Sequence, residues 1–196
     1  MDTSALHTAT EAFAALASEV TPGDLAASTP CEGWDVADLY RHVVTENIHF
    51  GQAVAGTEGA SSDPLRLPAL DRVGPAWPGL ETSYRRTADL MERAFAAATD
   101  ATQRRAVPGV PGERTVEDLY EMQLCDTVIH TWDLARALDL GYDDVDATLA
   151  QRVLRRMQAV PDTARGPGRA FAEVRSGARP GAGPLEQIVV LSGRTP

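Results

Sequence analysis

The sequence is most informative between residues 124 and 134, which read Leu124-Cys-Asp126-Thr-Val-Ile-His130-Thr-Trp-Asp-Leu134. Its apolar residues recur at helical spacing, and Asp126 and His130 are four residues apart. On a helix this spacing places a carboxylate and an imidazole on one face, one turn apart, where both can bind one metal ion. Because the flanking side chains are apolar, we expect a largely buried helix in which each polar group needs a partner.

Two other interpretations of this pair stay open. An aspartate and a histidine four residues apart are also typical of an exposed helix-stabilising pair. A hydrogen bond between Asp126 and His130 would explain their burial nearly as well as a shared metal ion does. Spacing on one helix does not choose between these interpretations.

Beyond this segment, the apolar pattern predicts further helices. Long helices are expected over 4–20, 35–55, 79–99 and 115–140, and a shorter one over 146–160. Thr115 is a candidate N-cap, and Gly141 is expected to end the last long helix. Long helices joined by loops predict one all-α domain over residues 1–196, an up-and-down four-helix bundle.

The segments between the helices differ in character. Residues 56–78 are rich in glycine, proline, serine and aspartate and predict a long loop, which is more often functional than idle. Residues 104–113 predict a short extended excursion. The arginine-rich stretch at 165–179 and the loop are the regions expected to select a substrate. An apolar segment from Leu185 to Leu191 precedes an irregular C-terminal end.

Composition excludes several classes of function. The formal net charge is −10, which disfavours nucleic acid and anionic membranes as partners, because both are polyanions. All 18 basic residues are arginine, so Schiff-base lysine chemistry and a P-loop lysine are excluded. The N-terminus lacks the basic start and apolar core of a signal peptide, and no apolar run is long enough to span a bilayer. We expect a cytoplasmic protein with a small-molecule substrate.

Two cysteines, Cys31 and Cys125, are too few for a disulfide framework. Cys125 adjoins Asp126 but points about 100° away from it on a helix, which makes it a poor ligand. We expect both cysteines to be small apolar packing residues. Trp34 and Trp132 are expected to be core aromatics.

His42 lies in the second predicted helix and is a candidate third ligand, although a histidine at such a position is more often a hydrogen-bonded core residue. Three protein ligands would leave coordination positions free, as catalytic metal sites do.

Glu46 and His49 share the face of His42, where they could move a proton beside a metal, or form a solvated edge. Asp133 could orient the imidazole of His130 or pair with the nearby Arg136.

Three stretches carry a resemblance to a known family. Thr29-Pro-Cys-Glu-Gly-Trp-Asp-Val-Ala-Asp-Leu39 with His42, and later His130-Thr-Trp-Asp-Leu-Ala-Arg-Ala137, resemble two motifs of the mycothiol-dependent maleylpyruvate isomerase N-terminal family, in the DinB-like superfamily. The closing Leu185 to Pro196 resembles that family's usual ending. The similarity spans essentially the whole chain, with the motifs in the right order.

The resemblance implies a DinB-like four-helix bundle that holds a divalent metal at one end, with His42, Asp126 and His130 as its ligands. The implied ion is zinc, with nickel and iron as alternatives. Relatives use such a metal to activate a low-molecular-weight thiol, mycothiol among them, or to polarise a substrate. The isomerase branch has a glutamate at the position of Asp126, and carries a further C-terminal domain for which 196 residues leave no room.

The sequence therefore predicts a metal-dependent isomerase or thiol transferase, with Glu46 and His49 as its proton-transfer residues. A non-catalytic bundle that binds a metal or a small ligand is the alternative. In a third hypothesis the site is vestigial and the bundle is a dimerisation module; an exposed helix face would support a homodimer in any of the three cases.

Overall fold

The computed structural model describes residues 1–57, 79–142, 145–166, 171–174 and 177–196. Within these residues the protein is mostly helical, with six α-helices and one small hairpin. The helices are α1 (Ser4–Glu19), α2 (Val36–Ala55), α3 (Glu81–Ala97), α4 (Val116–Ala137), α5 (Ala147–Gln158) and α6 (Pro184–Leu191). The antiparallel strands β1 (Arg104–Ala106) and β2 (Glu113–Thr115) form the hairpin. The predicted bundle of four long helices is confirmed.

The four long helices pack so that α1 and α2 each contact both α3 and α4. Tyr40 donates a hydrogen bond to the carbonyl of Leu80, and Asn47 lies beside Thr87, so α2 and α3 run in the same direction. Asn47 also accepts a hydrogen bond from Gln123, and α2 is antiparallel to α4. Of the four helices, α1 and α4 point one way and α2 and α3 the other.

A glycine allows the close approach of α2 and α3. A Cβ atom built on Gly51 would meet the side chain of Leu90 and come within 3.1 Å of the Met91 Cα. Glycine weakens a helix interior by about 1 kcal/mol relative to alanine. Here the lost propensity is offset by tighter packing between the two helices.

Side-chain caps define where the helices begin. Asp35 accepts a hydrogen bond from the backbone N–H of Asp38 at the start of α2, and Thr115 accepts one from Asp118 at the start of α4. Such caps satisfy backbone donors that have no partner within the helix. The predicted N-cap Thr115 is confirmed.

The end of α4 differs from the prediction. The helix stops at Ala137, and Asp139, with φ at 55°, makes the left-handed turn that we assigned to Gly141. The N–H of Leu140 bonds the carbonyl of Ala135 at 2.8 Å, which closes a Schellman-type end. Aspartate adopts this conformation more readily than most residues, so a glycine is not required.

The buried residues form two apolar clusters, one at each end of the bundle. A polar layer lies between them, made of the buried side chains of Asn47, Thr87, Gln123 and Thr127. Gln123 donates to Asn47 at 3.0 Å and Asn47 donates to Thr87 at 3.2 Å, so most of this layer is hydrogen-bonded. These bonds fix the register of α2 against α4 one helical turn from Asp126.

The structure describes only in part the two segments that were expected to select a substrate. Most of the predicted loop over 56–78 lies outside the described residues, and so do parts of the arginine-rich stretch over 165–179. Among the helices that are described, none is both long and apolar enough to cross a membrane.

Candidate metal centre

The facing sides of α2 and α4 bring three predicted site residues together. The Nε2 of His42 lies 3.4 Å from Oδ1 of Asp126, and the Nε2 of His130 lies 3.3 Å from the same oxygen. The three ligand atoms all lie within 4.8 Å of one another. His42 comes from α2, while Asp126 and His130 lie one turn apart on α4, as their spacing predicts.

This cluster is open to solvent on one side. The side chains of His42 and Asp126 are 29% and 27% exposed, whereas that of His130 is 8% exposed. The Oδ2 atom of Asp126 is itself buried and has no hydrogen-bond partner among the described residues. A buried carboxylate oxygen without a partner is costly, and a cation beside it would remove that cost.

The hydrogen bond on the far side of the His130 ring determines what its Nε2 can do. Nδ1 lies 2.9 Å from Oδ2 of Asp133, and an ionised carboxylate only accepts, so Nδ1 donates. If His130 is neutral, the Nε2 lone pair faces the lone pairs of Asp126 Oδ1. Two acceptors at this distance repel, so a cation is required between them, either a proton on Nε2 or a metal ion. The residues present therefore fit a divalent cation.

Burial and ion pairing together set the protonation states of His130, Asp126 and Asp133. Burial opposes ionisation of both His130 and Asp126, but their mutual attraction outweighs it, so the pKa of His130 is raised and that of Asp126 is lowered. For Asp133, burial is likewise outweighed, by hydrogen bonds from His130 and Arg194, and its pKa is lowered to about 2. Asp133 is therefore ionised at neutral pH.

A second group of potential ligands lies behind His130. Cys31, His130 and Asp133 also present ligand atoms within 4.8 Å of one another. The guanidinium of Arg194 already lies among them, because its Nη2 is 2.6 Å from Oδ2 of Asp133 and 2.9 Å from Sγ of Cys31. Since Arg194 supplies the positive charge there, this second group is best described as support for the first.

The loop before α2 places Cys31 and Trp34 against the site. The N–H of Trp34 bonds the carbonyl of Cys31 at 3.0 Å, and Gly33 has φ at 80°, as the third residue of a type II turn requires. The hydroxyl of Thr29 accepts from the N–H of Cys31 and closes the loop further. The quoted Thr29 to Asp35 motif thus encodes a turn that aims two side chains at His130.

Trp34 covers one side of the histidines. Its ring lies 4.9 Å from that of His42 and 6.0 Å from that of His130, nearly parallel to the second. Trp132 is buried as expected, whereas Trp34 is only partly buried and packs at the edge of the core. An aromatic wall beside the cluster restricts water on that side and leaves the other side open.

Glu46 and His49 lie beside each other on α2, with Glu46 Oε1 and His49 Nδ1 3.6 Å apart. Burial and the negative charge of Asp126 raise the pKa of Glu46, and the positive charges of His42 and His49 offset part of this shift. Nδ1 of His49 is buried without a hydrogen-bond partner among the described residues. The side chain of Glu46 is only 21% exposed, so Glu46 does not form a fully solvated edge.

Cys31 and Arg194 contribute to the site, and neither role was predicted from the sequence. The expectation that Cys31 is an apolar packing residue is wrong, since its thiol contacts Asp133 at 3.3 Å and Arg194. Asp133 orients His130, one of its two predicted roles, but its arginine partner is Arg194. Arg136 instead lies over the ring of Trp132. The available signal for Arg194 was its place in the closing stretch from Leu185 to Pro196 that resembles the family's ending, although nothing in that stretch indicates which end of the bundle it reaches.

Comparison with known proteins identifies the family to which this chain belongs. The sequence profile of the family described as mycothiol maleylpyruvate isomerase N-terminal domain matches residues 6–135. The chain belongs to this family. The matched region contains α1 to α4 almost completely and includes His42, Asp126 and His130.

Two relatives resemble the chain over nearly its full length. Both are uncharacterized proteins from strains of Mycobacterium tuberculosis, and each is 31% identical over 190 residues, which cover 95% of this chain and 94% of the relative. No solved structure gives a significant match. The comparisons thus identify the family, and the reaction has to be inferred from the chemistry of the site.

Proposed function

We propose that this protein is a divalent-metal-dependent enzyme of the isomerase or thiol-transferase type that acts on a small molecule. In this proposal His42, Asp126 and His130 bind the ion, which we take to be zinc, with nickel or iron as alternatives. One observation carries the proposal: three ligand atoms from two facing helices lie within 4.8 Å of one another. The partnerless Oδ2 of Asp126 supports it.

The donor set suits a catalytic site better than a structural one. Two imidazole nitrogens and one carboxylate oxygen are common zinc donors, and three protein ligands leave coordination positions for a substrate. The partial exposure of His42 and Asp126 gives a small molecule access to those positions. Trp34 and the bond from His130 to Asp133 hold the ligands from the other side.

When bound, zinc supplies Lewis acidity that polarises a substrate oxygen or favours the thiolate form of a bound thiol. Glu46 is the proposed proton acceptor and donor, because a carboxyl group whose pKa is raised exchanges its proton closer to neutral pH than an ordinary one. His49, 3.6 Å from Glu46, would relay that proton towards solvent.

We further propose a low-molecular-weight thiol as the cosubstrate. The name of the family refers to mycothiol and to an isomerase, and this chain shares the family's matched region. Cys125 cannot substitute for an external thiol, because it is buried and burial raises its pKa to about 12. The thiol of Cys31 is held by Asp133 and Arg194 on the Nδ1 side of His130, opposite the ligand nitrogen. In this proposal a thiolate supplied from outside the protein therefore serves as the nucleophile.

The first test is elemental analysis of the purified, tag-free protein beside His130→Ala, with His7→Ala as the matched control. His7 lies on α1, is largely exposed and pairs with Glu92 at 3.0 Å, away from the cluster. We expect about one zinc per chain in the wild type and in His7→Ala, and loss of zinc from His130→Ala. A wild type that is empty and also refuses added zinc would overturn the proposal.

Thiol binding is tested separately on the cobalt(II)-loaded protein. Mycothiol or glutathione bound to the ion should produce a sulfur-to-cobalt charge-transfer absorption in the near ultraviolet, absent with the corresponding disulfide. A protein that binds metal but shows neither this band nor turnover of thiol and electrophile would support the non-catalytic binding bundle instead.

A further inference from the structure

We infer that Arg194 is a positioning residue for His130, and that through it the C-terminal segment completes the metal centre. The inference rests on the proposed function in so far as His130 is a ligand. The family profile ends at residue 135, and Arg194 lies far beyond it in the chain. Three contacts hold Arg194 and the imidazole of His130 in place.

The first contact is a two-pronged ion pair. The Nε of Arg194 lies 2.9 Å from Oδ1 of Asp133, and its Nη2 lies 2.6 Å from Oδ2. The side chain of Asp133 is fully buried, and that of Arg194 is 11% exposed. Both carboxylate oxygens are engaged by one planar fork, so rotation of the carboxylate is prevented.

The second contact passes from Asp133 to His130. Held by Arg194, Oδ2 accepts the Nδ1–H of His130 at 2.9 Å. This bond fixes the tautomer and the plane of the imidazole, so that the opposite nitrogen, Nε2, faces Asp126 and His42. A carboxylate behind a histidine ligand is a recurrent support that also makes the ring a stronger donor.

The third contact is made by the thiol of Cys31. Its Sγ lies 3.3 Å from Oδ2 of Asp133 and 2.9 Å from Nη2 of Arg194, so it packs into the angle of the ion pair. Arg194 also donates from Nη1 to the carbonyl of Ser192 at 3.0 Å. The guanidinium is therefore held from its own segment as well as from the N-terminal half of the chain.

The fold of the tail directs Arg194 to this place. Ile188, Val189 and Val190 of α6 are buried, and Gly193 follows with φ at 85°. A Cβ on Gly193 would come within 2.6 Å of the Cβ of Ala172 and 2.9 Å of its carbonyl oxygen. Only glycine fits this turn without a shift, and the turn directs the next residue, Arg194, towards Asp133.

Removing the guanidinium would leave Asp133 as a buried carboxylate with fewer partners. Without the fork, the carboxylate of Asp133 is free to rotate towards other partners. Rotation weakens the hold on Nδ1 of His130. Lysine would keep the positive charge but not the fork, and so would replace Arg194 only in part. Because coupling between sites is reciprocal, ion binding should in turn stabilise docking of the tail.

The test compares Arg194→Gln and Arg194→Lys with Arg179→Gln. Arg179 is a matched control, since it lies in the same C-terminal segment and forms a two-pronged pair with Glu186, yet is exposed. Zinc affinity is measured by competition with a chromophoric chelator. We expect Arg194→Gln to weaken zinc binding by about 10–100-fold, as changes behind a histidine ligand do. Arg194→Lys should recover part of this loss, and Arg179→Gln should match the wild type.

Two spectroscopic readouts separate positioning from general stability. The cobalt(II) d–d absorption of Arg194→Gln should differ from that of the wild type in position or intensity, which a purely structural change would not cause. In the metal-free protein, the downfield proton resonance of the His130 Nδ1–H should broaden or shift upfield in Arg194→Gln. The resonance is assigned by its absence from His130→Ala.

These outcomes distinguish the two proposals. If the wild type binds no zinc but the Nδ1–H resonance still depends on Arg194, the metal function fails and the positioning role stands. If Arg194→Gln is folded and retains the wild-type resonance, the wild-type cobalt spectrum and the wild-type zinc affinity, the positioning role is overturned. Loss of zinc in Arg179→Gln as well as in Arg194→Gln would also overturn it, since the effect would then be a general property of the tail.

Discussion

The Nε2 of His42 lies 3.4 Å from Oδ1 of Asp126, although 84 residues separate the two in the chain. The contact depends on the antiparallel packing of α2 against α4. The bond from Gln123 to Asn47, 3.0 Å long and nearby along the same pair of helices, fixes their register. The candidate metal centre is thus a consequence of how two helices are aligned.

Zinc should stabilise the wild type but not His42→Ala. A ligand that binds only the folded state adds about 2.7 kcal/mol to the free energy of unfolding at 100 times its Kd. We expect zinc to raise the Tm of the wild type and of His7→Ala, and to leave His42→Ala largely unshifted. Calorimetry with and without zinc measures this effect, and an equal shift in His42→Ala would remove His42 from the proposed ligand set.

Glu46→Gln should stabilise the metal-free fold at neutral pH. The pKa of Glu46 is raised, so the folded protein holds this proton more tightly than the unfolded chain does. Its contribution to the free energy of unfolding therefore falls as the pH rises from about 4.3 through the raised pKa. The advantage of Glu46→Gln over the wild type should grow across that window and then level off above it.

Denaturant unfolding in the presence of a chelator, at several pH values, measures this difference. Glu19→Gln is the matched control, because Glu19 is an exposed carboxylate at the end of α1. A constant difference between Glu46→Gln and the wild type across the same pH range would contradict the prediction.

Gly51→Ala should destabilise the bundle by about 1–3 kcal/mol, the typical cost of overpacking. Alanine favours a helix over glycine by about 1 kcal/mol, but its Cβ would lie within 3.1 Å of the Met91 Cα and force α2 and α3 apart. Urea unfolding of Gly51→Ala is compared with that of Gly23→Ala, where the nearest atom is 3.6 Å away. A more stable Gly51→Ala would show that the helices separate at no cost.

Alkylation should distinguish the two cysteines in the native protein. Cys125 is 4% exposed and its pKa is raised to about 12 by burial, so at pH 8 only about one thiol in ten thousand is ionised. Cys31 is half-buried beside the guanidinium of Arg194. Iodoacetamide followed by mass spectrometry should label Cys31 first, and Cys31→Ser should remove the early label. Early labelling of Cys125 would show that the core opens more readily than its packing indicates.

Most of the helical architecture could be predicted from local pattern. Apolar periodicity gave the four long helices to within about two residues at most ends, and Thr115 was a recognisable cap. The end of α4 was missed because Asp139 adopts a left-handed conformation that glycine was expected to provide. The parallel direction of α2 and α3 departs from the up-and-down order that was expected, because helical periodicity is the same for either direction of a helix.

The candidate site, like the fold, could be predicted from the sequence only in part. The one-turn spacing of Asp126 and His130 follows from helical geometry, and His42, a candidate from its own predicted helix, gained support from the family resemblance. Cys31 was misjudged because a lone cysteine in a loop has no periodicity that reveals its neighbours. Its partner Arg194 lies 163 residues away.

Local sequence specifies which residues form helices and which side chains share a helical face, because both depend on interactions within a few residues. The register at which α2 faces α4, and which joins His42 to Asp126, depends instead on tertiary packing. The same packing also determines that the C-terminal Arg194, rather than the nearby Arg136, neutralises Asp133. The physical reason is that ion pairs and metal ligands depend on distances of a few ångströms in space, and packing of the core sets those distances.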